Sequence, residues 1–349
     1  MKHFIFNVLL ILWMTLSATA HAESIILAVP GPGPLSYLPV YLAKAIGADR
    51  DEGLELKLRY FSNGPLAMRD LMNNNSDFMS IGLPAIAAGR ADGLPLIAIG
   101  QLSQSGMFVL LLRSGLKNKV HSITQLKGKG LSIGTAQGIA SNTSSQRSQG
   151  YMLAIYLLRH SGLDPDNPKD VQFIAAGKTR EAQESALASG AVDVLMGDEP
   201  FASELVDKGI AVRLVDLYPP KESRDLLGGP LIHATLATRE DIYTQHPDTV
   251  KKVQLMFDRT LLWMSTHAPQ EIIDKLSGQP GFESPAHNKR LIDKLQRNPG
   301  MFTNQIAWDP EALATTERFF HSVAATKAET TLLFGEFVRG EYIHNLTAK

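Results

Sequence analysis

The chain has 349 residues, of which 44% are hydrophobic and 20% charged, an ordinary globular balance that excludes fibre and wholesale disorder and leaves room for two packed domains. Lys plus Arg (34) almost equals Asp plus Glu (35), for a net charge of −1, and basic residues are not clustered among aromatics, so nucleic acid is not an expected partner. Cysteine is absent, which excludes disulfide frameworks, thiolate metal sites, cysteine nucleophiles and Cys-anchored lipids.

The basic start Met1-Lys2-His3, the apolar stretch 4–16 and the small-residue site Ala20-His21-Ala22 form the three-part pattern of a secretory signal, with cleavage expected after Ala22. The apolar run is shorter than the ~20 residues of a spanning helix. The expected product is a soluble protein of the free periplasm, residues 23–349.

From Glu23 onward, short β-branched or Leu-rich runs alternate with glycine turns and helix-period stretches, the mark of βα units and a mainly parallel sheet. Strands are expected at 24–29, 54–61, 77–81 and 94–101, with helices at 36–46, 65–73 and 84–90 between them. Pro65 and Pro84 suit first helical turns. Residues 107–113 read as a further strand of this first body, and the polar segment 114–121 as the connection to a second. The second set has strands at 130–134, 171–175, 192–196 and 211–215 and helices near 150–161, 180–189 and 201–208. The turn-forming stretch 218–230 closes it, and 231–238 carries the chain back.

Amphipathic helices follow. The longest begins at His246-Pro247, where Val250, Val253, Phe257, Leu261 and Met264 share one apolar stripe. Others are expected at 270–276, 286–297, 310–324 and 330–338. Two α/β lobes joined by two crossings form hinge geometry, with lobe I at 23–113 and 231–349 and lobe II at 114–230.

Gly31-Pro32-Gly33-Pro34-Leu35-Ser36 superficially matches a dinucleotide-binding turn. The third glycine is Ser36, however, two prolines lack the N–H groups that would hold a pyrophosphate, and the end of the next strand has no acid for a ribose. The loop still fits a ligand-facing turn, with Ser36 and Tyr37 as donors. No Gly-x-x-x-x-Gly-Lys-Ser/Thr or Gly-x-Ser-x-Gly occurs, and the histidines lack metal-ligand spacing. The sequence holds no catalytic constellation, and neither a cofactor nor a metal is expected.

Helix starts marked by Gly64, Pro84 and Gly138 lie at carboxyl ends of strands, where open α/β sheets place ligands. Their first-turn N–H groups suit an anion, although ordinary βα turns account for each taken singly. The segment 132–145 runs from a strand into a glycine turn rich in hydroxyl and amide side chains, which suits an oxyanion or a plain helix cap. Asp198-Glu199-Pro200 places two acids at another strand end, one able to meet a ligand amine and the other to cap a helix.

Four places resemble the periplasmic substrate-binding proteins of ABC transporters of the nitrate, sulfonate and taurine type, whose relatives also bind thiamine-pyrimidine precursors. Gln125-Leu126-Lys127-Gly128-Lys129 is similar to the family's Asp-Leu-Lys-Gly-Lys, with Gln in place of Asp. Asp77–Gly82 resembles the family's earlier strand, Gly190-Ala191-Val192-Asp193 with Glu199-Pro200 its later one, and Thr238-Arg239-Glu240 with His246–Lys252 its helix pair after the return crossing, all in the family's order. The resemblance implies a two-lobe periplasmic binding protein type II fold with two hinge crossings and extra C-terminal helices. It further implies a monomer that captures a small anion or related metabolite by lobe closure and delivers it to an inner-membrane permease. Carried over by motif, the expected ligand contacts are Ser36, Tyr37, Gly64, Pro84, Ala85, Gly138, Ile139, Ser141 and Glu199. Alanine at Ser141 or Glu199 is expected to weaken binding and leave unfolding nearly unchanged. A sensor subunit docking on a membrane receptor is the alternative role. An enzyme on the same scaffold is disfavoured, because the related pyrimidine-precursor synthases carry a cysteine-rich motif.

Overall fold

The computed structural model describes residues 22–135 and 143–341. The first lobe lays down β1 (Glu23–Pro30), α1 (Leu38–Ala45), α2 (Ala48–Asp51), β2 (Leu54–Phe61), α3 (Gly64–Met72), β3 (Phe78–Gly82), α4 (Leu83–Ala91) and β4 (Leu96–Gln101). The second holds β5 (Phe108–Arg113), β6 (Leu131–Thr135), α5 (Gln149–His160), β7 (Val171–Ala175), α6 (Arg180–Ser189), β8 (Val194–Asp198), α7 (Phe201–Asp207), β9 (Ala211–Asp216) and α8 (Pro220–Leu227). The chain returns through β10 (Ala234–Arg239) and ends in α9 (Glu240–Gln245), α10 (Pro247–Thr266), α11 (Pro269–Leu276), α12 (Pro285–Arg297), α13 (Pro310–Ser322) and α14 (Lys327–Thr331).

The two five-stranded sheets have the orders β2-β1-β3-β10-β4 and β7-β6-β8-β5-β9. Both are mixed: four strands of each run in one direction, as the βα alternation predicts, and one is reversed. In the first, β10 runs antiparallel to β3 and β4; in the second, β5 runs antiparallel to β8 and β9. These are the strands laid down directly after each crossing, so each enters its sheet from the opposite end to the βα strands. The same finding corrects the first boundary: 108–113 belongs to the second sheet, and the crossing is 102–107, not the polar stretch after it.

The two crossings lie side by side. Leu102 donates its N–H to the Ala234 carbonyl at 2.8 Å, and His233 donates to the Ser103 carbonyl at 3.1 Å. The Ala234 N–H donates to Ser103 Oγ at 2.9 Å. The hinge is therefore a short two-stranded ladder.

Two aspartates from the family-like motifs do the same job in the two lobes. Asp77 donates its N–H to the Ile26 carbonyl and takes the Ile26 N–H on its carboxylate. Asp193 does the same with Ser132, and also accepts from the Ser132 hydroxyl. Each ties the start of one strand to its sheet neighbour.

The stripe expected on α10 is buried at Val250, Val253, Phe257, Leu261 and Met264. Edge strand β4 is covered by the C-terminal segment, Ala98 exchanging hydrogen bonds with Phe337 and Arg339. Two differences from expectation have local causes. The stretch read as turn includes α8, with Pro220 in its first turn and Gly228 at φ 73° closing it. In place of the single helix expected at 330–338, a Thr326/Glu329 capping box starts α14 at Lys327, α14 ends at Thr331, and a 3-10 turn, Phe334–Glu336, follows. Among the described residues no helix is long and apolar enough to cross a membrane. The expected export signal lies outside them, apart from Ala22.

Candidate functional site

The carboxyl ends of β1, β2, β3, β6 and β8 face one another across a cleft of about 560 Å³. The first wall begins with the proline-rich loop. Gly31, at φ 137°, turns the chain out of β1; its N–H donates to the Phe61 carbonyl at 3.0 Å, and Tyr41 holds the Pro30 carbonyl at 2.7 Å. The loop touches the far lobe directly, the Leu35 N–H donating to the Glu199 carbonyl at 3.1 Å.

Three helices begin on the cleft walls and share one construction. Asn63 caps α3 by accepting from Leu66, Ser148 caps α5 by accepting from Tyr151, and Thr179 caps α6 by accepting from Ala182. Each cap takes a third-position N–H, and the first-position N–H groups of Gly64, Gln149 and Arg180 lie outside the helices' own bonding. Gly64, Gln149, Gly150 and Arg180 stand at these starts and line the cleft.

Between them the walls are aromatic. His233 packs against Tyr37 (ring centroids 5.8 Å) and Phe108 (4.9 Å), and Tyr60, Phe61 and Tyr151 extend the surface. Burial pushes the His233 imidazole down to about 3, so it is neutral at physiological pH. Burial, with the Asp198 charge adding to it, holds the Tyr37 phenol above the usual range. Formal charge at the cleft is concentrated in Arg180 and Asp198, 3.6 Å apart, beside the peripheral Lys178 and Glu181. Burial raises the Asp198 carboxyl above the ordinary carboxylate range, with Arg180 opposing the shift.

Of the expected contacts, Tyr37, Gly64 and Ala85 come together on the first wall. Ser36 and Pro84 are adjacent to it but are not among the lining residues. Gly138, Ile139 and Ser141 lie outside the described residues. Glu199 turns away from the cleft and is fully buried, its carboxylate accepting from Lys294 (2.7 Å), Arg213 (2.9 Å) and Ser203 (2.8 Å). Its neighbour Asp198 lines the cleft instead, because successive side chains at a strand end point to opposite faces. Sequence reasoning missed His233, Gln149 and Arg180. Arg180 had a readable signal, since it follows a Thr cap at a strand-to-helix turn. His233 and Gln149 had none, their placement depending on how the lobes meet. Among the described residues no group of three or more His, Asp or Glu side chains is arranged to hold a metal.

Two mixed-sheet lobes, a double crossing and a ligand-sized cleft between opposed strand ends define the periplasmic binding protein fold. Comparisons with known proteins agree. The chain belongs to the NMT1-like family, whose model matches residues 33–276. It is 24% identical over 279 residues to the candidate binding protein YtlA of Bacillus subtilis strain 168, covering 78% of this chain and 77% of that one. A solved protein of Bordetella bronchiseptica RB50 superposes with a TM-score of 0.77 at 21% identity, over 92% of this chain and 95% of that one. The alkanesulfonate-binding protein SsuA of Xanthomonas axonopodis pv. citri, solved with MOPS, superposes with a TM-score of 0.67 at 18% identity, over 91% and 98%.

Proposed function

We propose that this protein is the solute-binding component of an ABC importer, exported to the periplasm after cleavage following Ala22, and that it captures a small organic solute by closing its lobes. The observation that carries the reading is the cleft itself. Its volume of about 560 Å³ lies within the range of small-molecule sites, three capped helix starts open into it, and aromatic rings line it. An ion as small as nitrate would leave most of that space to water, so an organic solute with an apolar body, an organic acid or its amide, fits better. In this reading Tyr37, Gly64 and Ala85 touch the solute from the first lobe. Gly138, Ile139 and Ser141 supply N–H and O–H groups from the second, and Asp198 with Arg180 takes the place first given to Glu199. A monomer then delivers the solute to an inner-membrane permease, and no bond is made or broken.

The test is a thermal-shift screen of sulfonates, nitrate, carboxylates, carboxamides and small amines. A solute at ~100 times its dissociation constant adds ~2.7 kcal/mol to the folded state, a shift that is easily read. No response from any class would overturn the assignment, as would turnover of any compound.

A further inference from the structure

Two side chains on the inner surface of the cleft carry buried polar atoms that nothing in the described residues satisfies. His233, 2% exposed, has no partner at Nδ1; Gln149, 5% exposed, has none at Oε1. Both line the cleft, one from the return crossing and one from the start of α5. Buried polar atoms without partners are uncommon and destabilising, so each calls for an occupant.

The Gln149 side chain is oriented by its other end. Its Nε2 donates across the lobes to the carbonyl of Ile232, the residue before His233, at 3.5 Å, which leaves Oε1 as an acceptor. Oε1 lies against Gly82, where a Cβ would come within 2.0 Å of it. Gly82 is therefore the residue type that lets this amide reach the cleft wall. The imidazole packs against Tyr37 and Phe108, whose rings are tilted to it by 58° and 42°, so a partner for it lies among apolar aromatic surfaces. Arg180 and Asp198 are about a quarter to a third exposed and stand nearer the mouth.

We propose that Gln149 and His233 are the specificity-determining pair of the cleft, and that they read an uncharged group offering both a donor and an acceptor, of carboxamide type, on a flat apolar body. A neutral imidazole offers one donor and one acceptor and the free amide oxygen accepts, so the pair complements a carboxamide and leaves a carboxylate without a matching donor set. A site built around such bonds discriminates strongly against analogues that cannot make them. The inference rests on the solute-binding function proposed above and specifies which end of the solute enters first.

The experiment compares benzamide with benzoate and benzenesulfonate by isothermal titration on the full mature chain, for wild type, Gln149→Met, His233→Phe and the conservative His233→Gln. Benzamide should bind at least about tenfold more tightly than benzoate. Gln149→Met and His233→Phe should each remove most of that preference, and His233→Gln should restore part of it. Unfolding of each variant without ligand controls for folding, and His233→Gln keeps the test open if His233→Phe does not fold. Equal or tighter binding of the two anions, with the variants unaffected, would overturn the recognition pair and leave the solute-binding function standing. Failure of benzamide to bind at all would likewise overturn the pair, whereas the solute-binding function falls only if the wider screen also draws no response.

Discussion

Arg147 and Glu329 form a buried ion pair that ties the second lobe to the C-terminal helices: Nη1 of the guanidinium lies 2.6 and 2.8 Å from the two carboxylate oxygens, and Nη2 donates to the Val323 carbonyl at 2.6 Å. Arg147 stands just ahead of α5, and Glu329 lies in α14. Removing one partner strands a buried charge, so Arg147→Met is expected to cost about 3–5 kcal/mol in urea unfolding. Replacing both, as Arg147→Met with Glu329→Leu, should recover much of the loss. A single substitution with no measurable cost would mean the pair is solvated in solution.

Glu199 shows the same physics at the other side of the cleft. Alanine there leaves Lys294, whose side chain is 9% exposed, without its carboxylate. Glu199→Ala should therefore lower stability by about 3 kcal/mol. That reverses the expectation drawn from its motif, of weaker binding with unchanged unfolding. Asp198→Asn should behave in the opposite way, changing solute affinity by calorimetry and moving the unfolding midpoint little.

His233 couples stability to pH. Its folded-state value of about 3 lies below the ordinary 6.5, so between these values the unfolded chain binds more protons than the folded one. The contribution is fully present above pH 6.5 and is lost as pH falls toward 3, at up to about 1.4 kcal/mol per pH unit. His233→Gln should flatten that part of the acid limb relative to wild type when urea midpoints are compared at pH 7.5 and pH 5. Parallel pH profiles for the two proteins would contradict the buried neutral imidazole.

Gly281 backs the proline-rich loop. At φ 85°, a Cβ there would stand 2.8 Å from the backbone of Pro32 and Gly33, atoms that cannot swing away. Gly281→Ala should cost at least about 1–2 kcal/mol from backbone conformation alone. It should also loosen solute binding, because the displaced loop lines the cleft. A variant with wild-type affinity would show that the loop does not need this support.

Much of the architecture was legible in the residues. The βα alternation, the α10 stripe from Val250 to Met264 and the order of motifs all led to two lobes and a double crossing, because period and turn chemistry are local properties. Strand direction was not legible. Nothing in Phe108–Arg113 or Ala234–Arg239 says that each will run against its neighbours, since that follows from the path of the chain between lobes. The site divided in the same way. Tyr37 and Gly64 follow from strand-to-helix turns, and Asp198 was visible but was passed over for Glu199, one residue along, which reversed the face. His233 and Gln149 reach each other's surroundings only when two distant segments meet, and no local pattern encodes that.

The ring of His233 stands one residue before β10, and its own N–H is part of the ladder that joins the two crossings. A guest pressing on that ring presses on the pivot. On the proposed function, choosing a cargo and setting how wide the jaws gape thus fall to the same few atoms, and a substitution that retunes one should retune the other.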